Sequence, residues 1–328
     1  MLDPLYYSLI SLLIFSIISK TSYKLNLLDK PNHRKKHLKP TAYTGGLALS
    51  LIYIFSIFFF DIENNKLNLI LSIAIFIALV GFLDDKINLN IGGKLSLQII
   101  PIFYLIIYEN LYLVDLGSYG YFKLELASFS IPFTLFSVIY LINSFNYFDG
   151  LDGTLSFTTI SVLAILFFLV PNAEIRLFIT NVALPLIIFL LFNFSIFKLP
   201  KLFLGDSGSL LLGFIIAFLV IFIASEKLTH PILIAWSISI FVYEFLSINL
   251  LRLKKKGNIF KSGLDHLHHI SHKKTKSIFL TNFIISSLNL IFFVIGYLSF
   301  IYINSLISLI LYIILFLIFI IFRIKYLN

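Results

Sequence analysis

Four short polar segments interrupt an otherwise strongly apolar chain, and they carry the residue types that can do chemistry. They cover residues 81–85, 143–153, 205–209 and 265–269. Each stands at an end of an apolar run long enough to cross a bilayer. Aspartates, asparagines, histidines and glycines gathered in this way indicate a catalytic surface, and the apolar runs indicate the scaffold that carries it.

Asp84 and Asp85 are adjacent carboxylates at the end of the third apolar run. Two like charges this close repel each other, so the pair is stable mainly when a cation or a proton lies nearby. A solvated helix end is the alternative, but acids at a helix C-terminus oppose the helix dipole. We therefore expect this pair to be functional.

Asn143 and Asn146 lie three residues apart and so share one face of a helix end. Asp149 and Asp152 follow in a turn that contains two glycines. Amide groups both donate and accept hydrogen bonds, whereas carboxylates accept them. This set suits the edge of a uracil base or the hydroxyls of a sugar. A polar turn that only caps two helices is the structural alternative.

Asp206 lies in the string Gly-Asp-Ser-Gly-Ser at the start of an apolar run. Two interpretations are open. The backbone N–H groups at the start of a helix can bind phosphate. Alternatively, the Asp206 carboxylate can hold a Mg²⁺ ion that bridges phosphate oxygens.

Three histidines, His266, His268 and His269, fall within four residues and follow Asp265. Such a cluster could bind zinc, but one aspartate and no cysteine make a poor closed zinc site. The neighbouring lysines favour phosphate binding by these histidines instead. Glu244 lies inside an apolar run, where acids are costly. Such an acid is by default a candidate for function. The structural alternative is that Glu244 snorkels or pairs with a nearby lysine.

The composition indicates a protein whose solvent is lipid. Hydrophobic residues make up 59% of the chain and charged residues only 12%, against about 25% charged residues in soluble domains. The absence of cysteine excludes disulfides, a thiolate nucleophile and cysteine-ligated zinc. A net charge of +9 favours anionic partners such as lipid headgroups or a phosphorylated substrate, and nucleic acid is not expected because the charge lies in short loops.

We predict an all-α polytopic membrane protein with about 11 transmembrane helices. The apolar runs are residues 3–20, 45–60, 67–83, 94–109, 130–148, 155–171, 176–197, 208–225, 230–251, 278–302 and 305–322. The even-numbered loops between these runs hold only four of the 25 lysines and arginines, namely Lys66, Lys123, Arg176 and Lys227. Because basic residues concentrate in cytoplasmic loops, we expect the N-terminus outside, and the C-terminus and all four polar segments in the cytoplasm.

The outer loop at about 109–130 alternates apolar and polar residues around two glycines, which predicts a small periplasmic β-hairpin near 110–128. Neither an internal repeat nor a linker is visible, so we expect one integral domain over residues 1–328. A lipid or ion transporter is the rival class of function. Transporters place charge near the bilayer midplane and often contain inverted repeats, whereas the polar groups here lie at one rim.

The order of the motifs resembles the polyprenyl-phosphate N-acetylhexosamine-1-phosphate transferases, glycosyltransferase family 4. From about residue 29 to 270 the motifs are Asp-Lys-Pro-Asn-x-Arg-Lys-x-His…Gly-Gly, Asp-Asp, Asn-x-x-Asn-x-x-Asp-Gly-x-Asp-Gly, Gly-Asp-x-Gly-Ser and His-x-His-His. The chain looks closer to the WecA branch of that family than to the MraY branch. It departs from common family residues at Ala42, Asn88 and Leu264.

The resemblance implies transfer of N-acetylhexosamine-1-phosphate from a UDP-sugar to undecaprenyl phosphate, with release of UMP, as the first membrane step of an envelope glycan pathway. The expected donor is UDP-GlcNAc. A UDP-6-deoxy-N-acetylhexosamine and UDP-MurNAc-pentapeptide are the alternatives. The resemblance also implies a Mg²⁺ cofactor, for which Mn²⁺ could substitute, and a location in the bacterial inner membrane with the site facing the cytoplasm. A homodimer is left open.

Residue roles follow from motif position in the same way. The catalytic residues would be Asp84, Asp85 and His268, and the metal ligands would be Asp206 and Asp84. The substrate-binding residues would be Asn143, Asn146, Asp149, Asp152, Lys36, Lys94, His266 and His269. The motifs leave open whether the lipid phosphate attacks directly or Asp84 first forms a phospho-sugar ester.

Overall fold

The computed structural model describes residues 4–30, 39–60, 62–254, 263 and 265–327, and it is dominated by helices. The α-helices are α1 Pro4–Lys24, α2 Gly45–Phe59, α3 Asn65–Ile87, α4 Ile91–Phe103, α5 Ser130–Phe148, α6 Thr154–Leu169, α7 Ala173–Asn193, α8 Gly205–Ser225, α9 Pro231–Ser237, α10 Ser239–Lys254, α11 Leu267–Thr275, α12 Ile278–Tyr302 and α13 Ser305–Leu327. A π-helical segment, Tyr104–Tyr108, continues α4, and the short 3₁₀ helices are Ala127–Phe129 and Ile196–Lys198.

All eleven predicted apolar runs are helical. Within the described residues, eight helices are long and apolar enough to cross a membrane, and α9 with α10 makes a ninth when the two are taken as one bent span. The shorter apolar helices α2 and α6 correspond to the remaining two runs. The prediction of an all-α, multi-pass membrane protein is confirmed. The number of crossings and their sidedness remain predictions.

The ninth run, predicted as one continuous span over 230–251, is broken between α9 and α10 by a bend of 72°. Asn289 of α12 bonds to the backbone at this break. Its Nδ2 donates to the Ser237 carbonyl at 3.0 Å, and its Oδ1 accepts from the Ile240 N–H at 3.4 Å. Because lipid offers no hydrogen-bond partners, a break at membrane depth needs such a side chain.

Two short antiparallel hairpins complete the secondary structure of the described chain. Strand β1 (Leu28–Asp29) pairs with β2 (Thr41–Ala42), which the sequence did not predict. Strand β3 (Asp115–Ser118) pairs with β4 (Lys123–Glu125). The second pair confirms the predicted hairpin near 110–128, whereas its periplasmic side remains a prediction.

The helices cluster into two compact units. The first comprises Met1–Leu111 and Pro171–Leu219, and the second comprises Tyr112–Val170 and Val220–Asn328. In the first unit, α2 packs against α1, α3 and α7, and α4 packs against α3. Two tyrosines tie this packing to the α7 backbone, since Tyr7 and Tyr53 donate to the carbonyls of Asn181 and Val182, each at 3.0 Å.

In the second unit, α12 lies against α6, α9, α10, α11 and α13. A Cβ on Gly296 of α12 would overlap the Trp236 ring of α9, so the missing side chain allows the two helices to touch. The Trp236 Nε1 donates to the Ser308 hydroxyl of α13 at 3.0 Å, which satisfies a buried polar group. This unit also contains α5, α11 and α13, which carry or support His266, His268 and His269.

Candidate active site

The carboxylate cluster consists of Asp84, Asp85, Asp206 and Lys94, all in the first unit. Asp84 and Asp85 lie in the last turn of α3, Lys94 in the first turn of α4 and Asp206 in the first turn of α8. The Lys94 Nζ lies 2.7 Å from Asp84 Oδ2 and 2.7 Å from Asp206 Oδ2. The sequence predicted that the adjacent acids need a cation or a proton nearby, and the Lys94 ammonium is such a cation beside Asp84.

The turn between α3 and α4 positions Lys94 over Asp84. Asn88 ends α3 in a left-handed conformation with φ of 50°, and its N–H donates to the Asp84 carbonyl at 2.8 Å. The Asp84 Oδ1 then accepts the Leu89 N–H at 2.8 Å. Asn90 caps α4 by accepting the Gly93 N–H at 2.7 Å. Asparagine tolerates the left-handed conformation, which gives Asn88 a structural role in this turn.

Asp85 points to the start of α8. Its Oδ2 accepts the Asp206 N–H at 2.9 Å and the Ser207 N–H at 3.5 Å. The first N–H groups of a helix have no partner within the helix, so Asp85 takes the place of a capping residue. These two N–H groups are therefore not available to a phosphate in this structure. That favours the second interpretation of the segment, in which Asp206 acts as a cation ligand.

Two glycines allow α3 and α8 to meet at backbone distance. A Cβ on Gly81 would overlap the Asp206 carbonyl and the Ser207 nitrogen. Gly205 has a φ of 73°, and a Cβ there would lie 2.7 Å from Asp85 Oδ2. Larger residues at either position would push the acids of the two helices apart.

The segment 143–153, called here the asparagine–aspartate turn, ends α5 and leads into α6 in the second unit. The Asn143 Nδ2 donates to the Ile139 carbonyl one turn back in its own helix at 2.7 Å. The Asn146 carbonyl accepts the Asp149 N–H at 3.3 Å as α5 ends. Asn143 therefore donates one of its amide hydrogens within α5, whereas Asn146 and Asp149 lie at the point where the chain leaves α5.

Asn282 of α12 anchors the other end of this turn. Its Nδ2 donates to the Asp152 carbonyl at 2.8 Å, and its Oδ1 accepts from the Thr154 hydroxyl at 2.6 Å. Gly153 has a φ of 75° and leads into α6. Asn282 was not among the predicted site residues, and its place inside an apolar run is the signal that could have identified it.

The histidine cluster consists of His266, His268 and His269, at the start of α11. The rings of His266 and His268 are nearly parallel with centroids 5.4 Å apart, and the rings of His268 and His269 are 4.3 Å apart. The asparagine–aspartate turn reaches this cluster through Gly150, where a Cβ would overlap the His268 Nε2. The structure therefore brings these two predicted segments together.

His268 is buried, with 1% of its surface exposed. Within the described part of the chain, its Nε2 has no hydrogen-bond partner. Burial, assisted by the neighbouring His269, lowers the pKa of His268 well below its ordinary value. The ring is therefore neutral at pH 7 and can bind a ligand without carrying a charge of its own.

A buried charge network lies behind the histidines. The Glu244 Oε1 accepts the Leu267 N–H at 2.8 Å, and its Oε2 lies 3.3 Å from Arg323 Nη1. The Arg323 Nη2 donates to the Asp265 carbonyl at 2.6 Å. The alternative in which Glu244 snorkels or pairs with a nearby lysine is wrong, because the partner is an arginine of α13. From the sequence, Arg323 was predicted only to be one of the basic residues on the cytoplasmic side.

Asp265 is held by a second arginine. The Arg252 Nη2 and Nε lie 2.8 and 3.1 Å from the two carboxylate oxygens of Asp265, a bidentate arrangement. Burial raises the pKa of Asp265, but the bond and charge of Arg252 outweigh it, so the pKa lies below its ordinary value. Asp265 therefore stays ionised and cannot act as an acid near neutral pH.

Among the described residues, no group of three or more histidine, aspartate or glutamate side chains could hold a metal ion. The zinc interpretation of the histidines thus finds no ligand set in that part of the chain. Lys36, predicted to bind substrate, and Leu264, a departure from the family pattern, lie outside the described residues.

Comparison with known proteins confirms the resemblance. Residues 67–224 match the model of glycosyl transferase family 4. The chain is similar to proteins named undecaprenyl-phosphate alpha-N-acetylglucosaminyl 1-phosphate transferase. The Yersinia pestis protein is 28% identical over 276 residues, 82% of this chain and 75% of that protein. The Escherichia coli (strain K12) protein is 27% identical over 275 residues, covering 80% and 75%. The Haemophilus influenzae protein is 27% identical over 258 residues, covering 75% and 72%.

Proposed function

We propose that this chain is a member of glycosyl transferase family 4, whose model it matches over residues 67–224, and that it transfers N-acetylglucosamine-1-phosphate from UDP-GlcNAc to undecaprenyl phosphate. The observation that carries this proposal is the likeness, over about four fifths of the chain, to proteins named for that reaction. UMP is the second product, and the reaction takes place at the cytoplasmic face of the bacterial inner membrane. The excess of basic residues in the odd-numbered loops supports that side.

The carboxylate cluster fits a divalent cation. Asp84 Oδ2 and Asp206 Oδ2 already enclose a positive charge, the Lys94 ammonium. Mg²⁺ is usually bound by one or two carboxylates together with substrate phosphates and water, and Mn²⁺ accepts the same oxygen ligands. We assign Asp84 and Asp206 as the residues that would hold the ion. When bound there, Mg²⁺ would neutralise the diphosphate and stabilise the leaving UMP.

The bond changes are those of a phosphoryl transfer. An oxygen of the undecaprenyl phosphate attacks the β-phosphorus of the donor, and the bond from that phosphorus to the bridging oxygen of UMP breaks. The acceptor is a phosphate monoester with a second pKa near about 6, so it is largely deprotonated at pH 7 and needs no strong base. Asp84 can take up a remaining proton. The alternative route, through an ester on Asp84, stays open.

Lys94 and Asp85 support the acids in different ways. Lys94 keeps the carboxylates of Asp84 and Asp206 close before substrate arrives, and its ammonium can then contact a donor phosphate. Asp85 caps α8 and so fixes the position of Asp206. We assign Lys94 to substrate binding and Asp85 to positioning of the cation ligand.

The second unit supplies neutral and hydrogen-bonding groups. We assign Asn146, Asp149 and Asp152 to the uridine of the donor, and His266, His268 and His269 to its phosphates or sugar. The contact of Gly150 with His268 supports a common role, because it keeps the nucleotide-binding turn against the histidines. Neutral imidazole N–H groups can donate to phosphate oxygens.

The test uses purified protein in nanodiscs with undecaprenyl phosphate, Mg²⁺ and one UDP-sugar at a time. The panel contains UDP-GlcNAc, UDP-GalNAc, a UDP-6-deoxy-N-acetylhexosamine and UDP-MurNAc-pentapeptide, and the readout is UMP release. We expect UDP-GlcNAc to give the fastest release and omission of the lipid to stop it. Release with another sugar alone would change the proposed donor, and no release with any donor would contradict the proposal.

A further inference from the structure

We propose that Arg323, together with Glu244, positions the histidine cluster for the reaction. The inference rests on the proposed function, in which the histidines contact the phosphates or sugar of the donor. Arg323 lies on α13, outside the stretch 67–224 that matches the family model. Its described polar contacts are with Glu244 and with the backbone carbonyl of Asp265, so the role that these contacts support is positioning rather than catalysis.

Burying the charges of Glu244 and Arg323 has a large desolvation cost. Arg323 is fully buried and Glu244 is 1% exposed. Taking both charges out of water is expensive, and replacing such a pair by apolar residues is often neutral or stabilising. Stability alone is therefore a weak reason to keep these charges here. A structural task that apolar residues cannot perform is a stronger one.

Arg323 and Glu244 hold the backbone on both sides of His266. Arg323 donates to the carbonyl of Asp265, and Glu244 accepts the N–H of Leu267. These two backbone groups flank His266, which is the residue that caps α11. Fixing both sides of His266 fixes its backbone, and the near-parallel stacking on His268 passes that constraint to the buried ring.

The guanidinium of Arg323 suits this position better than a lysine ammonium would. A guanidinium presents a planar fork of donors, so Arg323 reaches the Glu244 carboxylate with Nη1 and the Asp265 carbonyl with Nη2. A lysine keeps the charge, but its compact ammonium sits on a flexible stem and lacks this fixed fork. Arg323→Lys therefore separates the positioning role from the need for a neutral pair.

The kinetic test compares Arg323→Lys with Lys325→Met, an exposed basic residue on the same helix. An error of about 1 Å in the position of a binding group can cost about 100-fold in rate. We expect kcat/KM for UDP-GlcNAc to fall about 10- to 100-fold in Arg323→Lys and to stay within about twofold in Lys325→Met. Equal kinetics in Arg323→Lys and the wild type would overturn the inference.

A second comparison separates positioning from charge balance. Arg323→Met leaves Glu244 buried without its partner, and that protein is expected to lose stability or to fail to fold. Arg323→Met combined with Glu244→Gln removes both charges, but the Asp265 carbonyl still lacks the hydrogen bond that Arg323 donates to it. We expect the double variant to regain thermal stability while kcat/KM stays at least about 10-fold low. Recovery of both would show that the pair serves neutrality alone, which would overturn the inference.

Hydrogen exchange gives a readout that does not depend on the sugar donor. The Leu267 amide is protected by its hydrogen bond to Glu244. Peptides covering residues 265–275 should therefore exchange faster in Arg323→Lys than in the wild type, and at the wild-type rate in Lys325→Met. Faster exchange in a protein whose wild type transfers no sugar would refute the proposed function and leave the positioning intact. Unchanged exchange, or faster exchange with unaltered turnover of an active protein, would overturn the inference itself.

Discussion

The carboxylate cluster of the first unit and the histidine cluster of the second unit handle charge in opposite ways. In the first, ionised groups face one another, with Lys94 between Asp84 and Asp206. In the second, the ionised groups Glu244, Arg323 and Asp265 stand behind a buried, neutral imidazole. One region presents charge, and the other uses charge to hold a neutral surface.

This difference matches two tasks in the transfer of a phosphorylated sugar between anions. A cation must offset the charge that develops on the diphosphate, and carboxylates that already enclose an ammonium can exchange it for a metal ion. The donor must also be oriented, and hydrogen-bonding groups do this without adding net charge.

Asp206→Asn should remove a charged ligand from the carboxylate cluster and lower the rate of UMP release by at least about 100-fold, the scale seen when one preorganised electrostatic group is lost. UMP release in nanodiscs measures the effect. Glu125→Gln, an exposed acid on β4, serves as the control and should keep the wild-type rate. Full activity in Asp206→Asn would show that the cluster does not hold the catalytic cation.

Gly150→Ala should disturb the histidine cluster, because the added Cβ would overlap the His268 ring. The ring must shift, and we expect kcat/KM to fall by about 10- to 100-fold. Gly92→Ala is the matched control, because a Cβ there would meet only Asn90 Oδ1 at 3.7 Å. If both alanine variants turn over equally, the contact between the turn and the histidines has no part in the reaction.

Lys94→Met should affect cation binding and turnover in opposite directions. Without the ammonium, Asp84 and Asp206 repel each other and a divalent cation has no competitor. We expect Mn²⁺ to bind more tightly, as measured by electron paramagnetic resonance, while turnover falls about 10-fold. Lys86→Met, which changes an exposed lysine in the last turn of α3, should change neither quantity. Weaker Mn²⁺ binding in Lys94→Met would contradict the view that the ammonium occupies the cation position.

His268 should give the smallest effect, a pH dependence of stability. Its pKa in the folded protein is lowered, whereas in the unfolded chain it lies near about 6.5. The unfolded state therefore binds more protons as the pH falls through about 6.5, and the free energy of unfolding falls by up to about 1.4 kcal/mol per pH unit. His268→Gln should reduce that slope in unfolding measurements from pH 7.5 to 5. An identical slope in the variant would mean that His268 has the same pKa in the folded and the unfolded states, which would contradict a lowered pKa in the fold.

The sequence predicted the helices well because long apolar runs leave the backbone few alternatives in lipid. Each of the eleven runs is helical, and the hairpin lies where the alternation indicated. The break in the ninth run was missed. It depends on Asn289 of α12, which lies far away in the chain, and only the folded structure brings that amide to Ser237 and Ile240.

The candidate residues were predicted from their types, but their partners were not. Asp84 and Asp85 read as one pair in the sequence, yet one bonds to Lys94 and the other caps α8. Arg323 was missed because a basic residue after an apolar run looks like any inside charge. Its burial depends on how α13 packs against α10, which residue spacing does not reveal.

Transfer of a phosphorylated sugar to the lipid is the central step of the proposed reaction. Purified protein in nanodiscs with undecaprenyl phosphate and Mg²⁺ should receive UDP-GlcNAc carrying ³²P at its β-phosphate. We predict that the label appears in the lipid fraction and that the released UMP is unlabelled. Label that remains with the nucleotide, or a lipid that gains the sugar without the label, would contradict the account.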